Sequence, residues 1–312
     1  MVSVLGKNVY INANTFTNNV NIVNVDLCNL PWVNNNMNYA FNGCSNLSSV
    51  TNINQNVTNM YFTFTNCTSL VNAPVIPNSV TNMKDTFTHC TNLVNAPVIP
   101  NSVTSIDSLF WGCSSLVNAP VIPNSVTNMH SAFGECTNLV NAPVIPNSVT
   151  NIQSTFAGCS SLVNVPVIPN SVTNMHSTFL LCTKLNTVPV IPCTVTSMYN
   201  TFYFCSNLTG NIYIQSENII NAFNCFLITS LTKNVYIPFT YENGEYTQTY
   251  NSFINAGYDE IGTTNGVYLM DIENCASDNW EYRTNVSSRT ATLTKYIGTN
   301  TYVDVPSYVK GF

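Results

Sequence analysis

The sequence predicts a β-rich repeat solenoid, short parallel strands stacked coil on coil, followed by a small β-rich C-terminal module. Three observations carry that expectation. The segment Asn95 to Thr104, NAPVIPNSVT, recurs almost unchanged from Asn72, Asn118 and Asn141, with variants from Asn164 and Thr187. The landmark Phe-x-x-Cys keeps the same 23-residue period at Phe41/Cys44, Phe64/Cys67, Phe87/Cys90, Phe110/Cys113, Phe133/Cys136, Phe156/Cys159, Phe179/Cys182 and Phe202/Cys205. Amide replaces charge: there are 51 asparagines in 312 residues, while charged residues make up 7% against roughly 25% in ordinary globular domains.

One unit reads as follows. From Leu93 to Cys113 the recurrent apolar positions are Leu93, Ala96, Val98, Val103, Ile106, Phe110 and Cys113. Leu-x-x-Ala-x-Val fits the leucine-rich template L-x-x-L-x-L, in which alternation along a short strand turns residues inward. Pro100 and Asn101 make a corner, because proline lacks a ladder donor and asparagine tolerates turn geometry. Val103 and Ile106 point inward on a second segment, and Phe110 and Cys113 fill the end of the coil. One coil cannot bury these residues alone, so each packs on its equivalent in the next. At a spacing of about 4.8 Å, the rows Asn72, Asn95, Asn118, Asn141, Asn164 and Asn78, Asn101, Asn124, Asn147, Asn170 line up to hydrogen-bond along the axis.

The 23-residue unit, with this landmark and the L-x-x-x-x-x-x-P segment after it (Leu93 to Pro100), resembles the BspA-like (Treponema-type) leucine-rich repeats over roughly residues 33–228. Members of that family occur in bacterial and protist surface proteins and in phage-encoded proteins. The resemblance implies a non-catalytic solenoid used for adhesion or protein binding. The family's usual charged positions are here Asn, Thr or Ser. The stretch Met1 to Tyr10 lacks the long apolar region of a signal peptide, so a chain that is not exported this way, or a mature fragment, is expected.

Residues 1–32 read as an N-terminal cap or degenerate coil, 33–239 as the solenoid and 240–312 as the C-terminal module. Gly210 to Ile214 and Lys233 to Pro238 repeat the strand pattern of Val9-Tyr10-Ile11, and Phe223/Cys225 read as a shortened landmark. Tyr241 to Tyr246 is a hairpin signal through Asn243-Gly244. A short helix is expected over Tyr250 to Tyr258, and strands at Gly266 to Leu269, Thr290 to Tyr296 and Tyr302 to Val305. Val305 to Val309 looks like the start of another corner, as in a chain cut short.

Most catalytic and ligand chemistries find no residues. With 8 basic and 14 acidic residues and a net charge of −6, clustered Lys and Arg for nucleic acid are missing. No apolar run approaches the roughly 18 residues of a membrane span. The cysteine ladder reads as buried thiols rather than disulfides or zinc ligands, because a straight row offers neither disulfide geometry nor tetrahedral convergence. Cys28, Cys193 and Cys275 stand outside it. His130 and His176 fall in one column two units apart, about 10 Å at coil spacing, too far to share a metal. His89 is in another column. Asp259, Glu260, Asp271 and Glu273 form the densest acidic cluster but lack calcium-loop spacing. No metal, no cofactor and no catalytic group is expected.

Two surfaces remain. Variation between units concentrates around the landmark Phe and makes one stripe, with Trp111, His130, Glu135, Leu180, Leu181, Tyr199, Tyr203 and Phe204 as candidate partner-binding residues. Drift on an unconstrained arc, with the aromatics packing on neighbouring coils, is the competing account. The rival face is a strip of Ile76, Ile99, Ile122, Ile145, Ile168 and Ile191 beside Pro74, Pro97, Pro120, Pro143, Pro166 and Pro189, which either lies on the surface or packs on itself. The chain therefore reads as a non-enzymatic adhesion or receptor-binding module, extracellular, on a bacterial surface or a phage tail or fibre. Its partner is a protein or glycan on a cell surface. The alternative is a self-assembling structural subunit that binds copies of itself.

Overall fold

The computed structural model describes residues 10–209, 212–227, 233–237, 247–258, 267–271, 280–285 and 290–296. The chain winds into coils, each lying on the one before. The coil over Met129 to Cys136 shows how. Asn128 begins it with a side-chain turn, its Oδ1 accepting from His130 N at 3.0 Å. The amides of Met129, Ser131, Phe133 and Glu135 donate to the next coil, at Asn151, Gln153, Thr155 and Ala157. The intervening amides of Ala132, Gly134 and Cys136 donate three residues back, to Met129, Ser131 and Phe133. Every N–H in this stretch thus has a partner, as a buried backbone requires. The chain alternates by placing two residues per coil at positive φ, here Ser131 (58° at its companion Glu135, 55° at Ser131).

Inside the coil, Met129, Ala132, Phe133, Cys136 and Leu139 are fully buried. The landmark rings form a continuous column from Phe16 through Phe41 and onward to Phe202 and Phe226. Phe16 and Phe41 lie 5.0 Å apart, and Phe202 and Phe226 lie 5.6 Å apart, both nearly parallel. Such pairs add about 0.5–1.5 kcal/mol each beyond the area they bury. The cysteine column runs beside it. Cys136 Sγ donates to Phe110 O at 3.2 Å and Cys159 Sγ to Phe133 O at 3.1 Å, so each thiol ties its coil to the one before. Ladder cysteines from Cys44 to Cys225 are buried and unbridged. Burial raises their pKa, that of Cys205 to about 12.

Side-chain hydroxyls supply further axial bonds. Thr155 Oγ1 donates to Met129 O at 2.8 Å and Thr178 Oγ1 to Ile152 O at 3.0 Å. Asn95 Nδ2 donates to Asn72 Oδ1 at 2.6 Å, and Asn164 to Asn141 at 2.9 Å, as the first asparagine row predicts. Beside the second row the axial bonds come from serine instead, as in Ser125 to Val103 O at 2.7 Å.

The expected strand at NAPVIP is reduced to single parallel bridges, Asn72 with Asn95, Asn118 with Asn141 and Asn141 with Asn164. Pro97 and Pro100 have no N–H to give a ladder. The inward phase also differs by one residue. Val98 is 86% exposed and Ile99 is 3% exposed. Freed from ladder bonds, the segment turns its larger side chain inward, together with Pro97 and Pro100, which leave no orphan donor in the core. The corner at Pro100 stands, closed by Val103 N donating to Pro100 O at 3.1 Å. The isoleucine row is therefore core and offers no surface strip.

Regular strands lie towards the two ends. β1 (Asn24–Asp26) pairs in parallel with β2 (Ser49–Thr51). β3 (Ile212–Tyr213), β4 (Lys233–Ile237) and β5 (Val267–Asp271) form a parallel sheet in that order. β6 (Trp280–Asn285) and β7 (Thr290–Tyr296) pair antiparallel. The helix α1 (Gln248–Asn255), capped by Thr247, closes the column. Its Phe253 and the following Tyr258 pack on Phe226. Oxygens of Thr249, Ser252 and Tyr258 accept from the amides of Ile219, Ala222 and Phe226 at 2.9–3.0 Å. Phe226, not Phe223, continues the ring column. Phe223 lies at the surface, because the last coil has one residue more between landmark rings. The Tyr241 to Tyr246 hairpin, the Tyr302 to Val305 strand, the final corner and Cys275 lie outside the described residues.

Two measurements test this core. Phe133→Ala should cost about 3–5 kcal/mol in urea unfolding, as large-to-small changes in packed cores do. Of the described cysteines, exposed Cys28 should react with an alkylating reagent in the native chain, and the column from Cys44 to Cys225 only after denaturation. Native modification of Cys113 or Cys136 at the rate of Cys28 would contradict the buried column.

Candidate functional site

The stripe around the landmark Phe resolves into three columns, each advancing one coil per residue. The column three places before the ring runs Tyr61, Lys84, Asp107, His130, Gln153, His176, Tyr199 and ends at Phe223. Its side chains match in chemistry from coil to coil. Lys84 Nζ lies 2.8 Å from Asp107 Oδ2, and His130 Nδ1 lies 3.1 Å from Asp107 Oδ1. Further along, His176 meets Tyr199 edge-on at 4.8 Å, and Tyr199 stacks on Phe223 at 6.0 Å.

Burial alone would raise the Asp107 carboxyl, but bonds from His130, Lys84 and Ser108 outweigh it and hold the group well below the usual carboxylate range. Neighbouring Asp85 shifts the other way. Its burial raises it, and the Lys84 charge only partly opposes this. Burial, with His130 nearby as a like charge, lowers His176.

The columns one and two places after the ring pair large residues with glycines. His89 occupies the space a Cβ on Gly112 would need, Trp111 lies over Gly134, and Glu135 packs against Gly158. Trp111 is thus half-buried on the next coil, as the competing account of the stripe expects. The column two places after the ring is also a positive-φ column. Gly43, Gly112 and Gly158 occupy it at 74–76°, the conformation glycine accepts without cost. Asn66, His89, Glu135, Leu181 and Phe204 are held in it as well, at 57–61°. For bulky side chains this is a true outlier.

Around Leu181 and Phe204 the candidate residues converge. Leu181 is 44% exposed. Leu180, Tyr199, Tyr203 and Phe204 are half-buried, and the Tyr203 and Phe204 rings meet edge-on at 4.5 Å. Trp111, His130 and Glu135 lie further back on the same arc with the Lys84–Asp107 pair. Phe223, 51% exposed, extends the apolar end and was hidden in the sequence behind its reading as a landmark. A second aromatic group, Tyr39, Tyr61 and Phe62, lies on the stripe at the other end. Its signal was its place two, three and two residues before the rings Phe41, Phe64 and Phe64. A third feature is the exposed row Val75, Val98, Val121, Val144 and Val167, legible only once the phase of the strand is known.

A cavity of about 630 Å³ opens at the first described coil, walled by Ile11, Phe16, Ile22, Val25 and Leu27. Among the described residues, no three His, Cys, Asp or Glu side chains converge to hold a metal, and no helix is long and apolar enough to cross a membrane.

Comparison with known proteins follows the same architecture. A family model described as BspA type leucine rich repeat region matches residues 9–140 and 130–254, in 6 copies. A solved leucine-rich repeat protein from Bacteroides ovatus is 20% identical, covers 74% of this chain and 70% of its own, and superposes with a TM-score of 0.51. A leucine rich cell surface protein from Faecalibacterium prausnitzii is 23% identical over 65% of this chain and 62% of its own, with a TM-score of 0.46. A leucine rich repeat protein of T. pallidum is 23% identical over 57% of this chain and 71% of its own, at 0.35. No curated protein gives a significant match.

The positive-φ column makes a direct prediction. Gly158→Leu should destabilise the chain by about 1–2 kcal/mol, the cost of a left-handed L-residue, while Leu181→Gly should be neutral or stabilising in the same urea titration. The acid pair makes another. A carboxyl whose folded pKa is depressed stabilises above its unfolded value near 3.9 and loses that contribution as pH falls through the folded value. Below about pH 4 the melting temperature of the native chain should therefore fall more steeply than that of Asp107→Asn.

Proposed function

Because the chain belongs to the BspA-type leucine-rich repeat family, we propose that it is a non-catalytic protein-binding module of a bacterial cell surface, and that the stripe is where it binds. The observation that carries this reading is the placement of Leu181 and Phe204. Two large apolar residues sit, at 61° each, in a positive-φ column that holds Gly43, Gly112 and Gly158 in three other coils and Asn66, His89 and Glu135 in the rest. Glycine takes this conformation without cost, and for a bulky apolar side chain it is a true outlier. Backbone strain of this kind concentrates where side chains are needed for contact. Tyr199, Tyr203 and Phe223 stand beside them, and exposed aromatics supply much of the energy of protein interfaces. The Lys84–Asp107–His130 row adds a polar flank that orients a partner along the axis.

The partner on this reading is a protein with an apolar anchor facing Leu181 and Phe204. Glycan recognition, or a place on a phage tail or fibre, would use the same stripe and differs in what it binds. The test is saturable binding of the fluorescently labelled chain to intact epithelial and bacterial cells, with and without prior protease or glycosidase treatment. Protein binding requires that protease abolish the signal and that Leu181→Gly/Phe204→Gly weaken it at least tenfold, about 1.4 kcal/mol. That variant relieves strain, so it stays folded. Binding that survives protease and disappears with glycosidase would move the assignment to glycan. Equal binding by variant and parent would remove the stripe from the account.

A further inference from the structure

Opposite in character to the variable stripe is the row Val75, Val98, Val121, Val144 and Val167. These side chains are 84–87% exposed, and Val190, at 38%, ends the row. Scattered apolar residues on a surface need no explanation, but five equivalents stacked one per coil make a continuous ridge. A second row, Val71, Val94, Val117 and Val140, is 38–42% exposed, on the other side of the exposed asparagine row Asn72, Asn95, Asn118 and Asn141. The ridge exposes apolar surface on the order of several hundred Å², the size at which such surfaces mark interaction sites.

We propose that this valine ridge is a self-association face that pairs two copies of the chain. Three features select a second copy as the occupant. The first is spacing. Ring centroids in the core column repeat every 5.4–5.8 Å between coils from Phe41 onward, and the valines advance with the same coils. A partner must present apolar groups at that step to engage each valine, and another copy does so without further design, the isologous contact that closed dimers use.

The second feature is charge. The segments Val71 to Asn82, Val94 to Ile106, Val117 to Met129 and Val140 to Ile152 contain no Asp, Glu, Lys or Arg. The face gives a charged partner nothing to pair with. It also carries none of the net charge of −6 that would push two copies apart. The third feature is area. The ridge approaches the roughly 800 Å² per partner of a standard stable interface. Its side chains are stiff at χ1 and stand on backbone fixed by flanking prolines, so little conformational freedom is lost on pairing.

Sedimentation equilibrium of the full chain, from about 1 to 100 µM, tests the pairing alongside Val98→Glu/Val144→Glu. The native chain should pass from 34.3 kDa to twice that mass. The double variant should remain at the monomer mass with an unchanged melting temperature, because the substituted side chains are almost wholly in solvent. In a second arm, Val121→Cys lies at the centre of the row and meets its own copy whether the chains run parallel or antiparallel. Under oxidation it should give a covalent dimer above the level of the parent chain. A native chain that stays monomeric at 100 µM overturns the proposal, as does a double variant that self-associates like the parent. Because the ridge and the stripe occupy different arcs, the double variant should keep any cell binding that the stripe confers, so failure of one reading leaves the other standing.

Discussion

Every other feature of this molecule depends on how its backbone amides are satisfied. Alternate N–H groups donate to the next coil, and the rest fold back three residues or, at His130, to the Asn128 side chain, so that Met129 to Cys136 leaves no donor over. This pattern fixes the length of the turn around the ring, because a residue too many within it would offer carbonyls to the wrong donors. It requires two left-handed residues per coil. It also demands a substitute where the coils end. At the C-terminal end α1 provides it, presenting the oxygens of Thr249 and Ser252 where another coil would present carbonyls.

The same repetition explains the scarcity of charge. A charged residue kept at one position in every coil would face its like at about 5.5 Å. That repulsion is about 0.8 kcal/mol in water and about 3 kcal/mol at an effective dielectric constant of 20, and it recurs at every step. Amides and hydroxyls carry both donors and acceptors and gain from being stacked with themselves. Asparagine opens the turn, threonine and serine bond to carbonyls of the preceding coil, and cysteine does so from inside. In the column three places before the ring, Lys84 and Asp107 carry opposite charges 2.8 Å apart, and His130 bonds to the same carboxylate.

The two surfaces express this division. The NAPVIPNSVT arc is nearly constant and uncharged, and its valines project as a ridge from Val75 to Val167. The arc around the landmark ring differs in every coil, and its residues fit one another as neighbours: Trp111 over Gly134, His176 against Tyr199, Tyr199 against Phe223. Variation there is constrained by the next coil, which is why some of the aromatics are packing residues before they are contact residues. Leu181 and Phe204 stand out as the large apolar side chains on left-handed backbone that glycine occupies in three other coils.

By itself the sequence determined the solenoid, its period, the phenylalanine and cysteine columns, the proline corner and the arc on which variation falls. A strict 23-residue recurrence makes each of these a stacking problem with one solution. It also placed α1 within a few residues, through the change in composition after the last coil. The tertiary structure alone decided which of two adjacent residues faces inward. Val98 and Ile99 are both β-branched and apolar, and alternation from Leu93 through Ala96 puts Val98 inside. The prolines remove the ladder bonds that would enforce that phase, and burial of the larger side chain sets the opposite one. For the same reason Phe226 rather than Phe223 continues the ring column: the extra residue shifts the turn, and only packing against Phe202 and Tyr258 shows which ring fills the core.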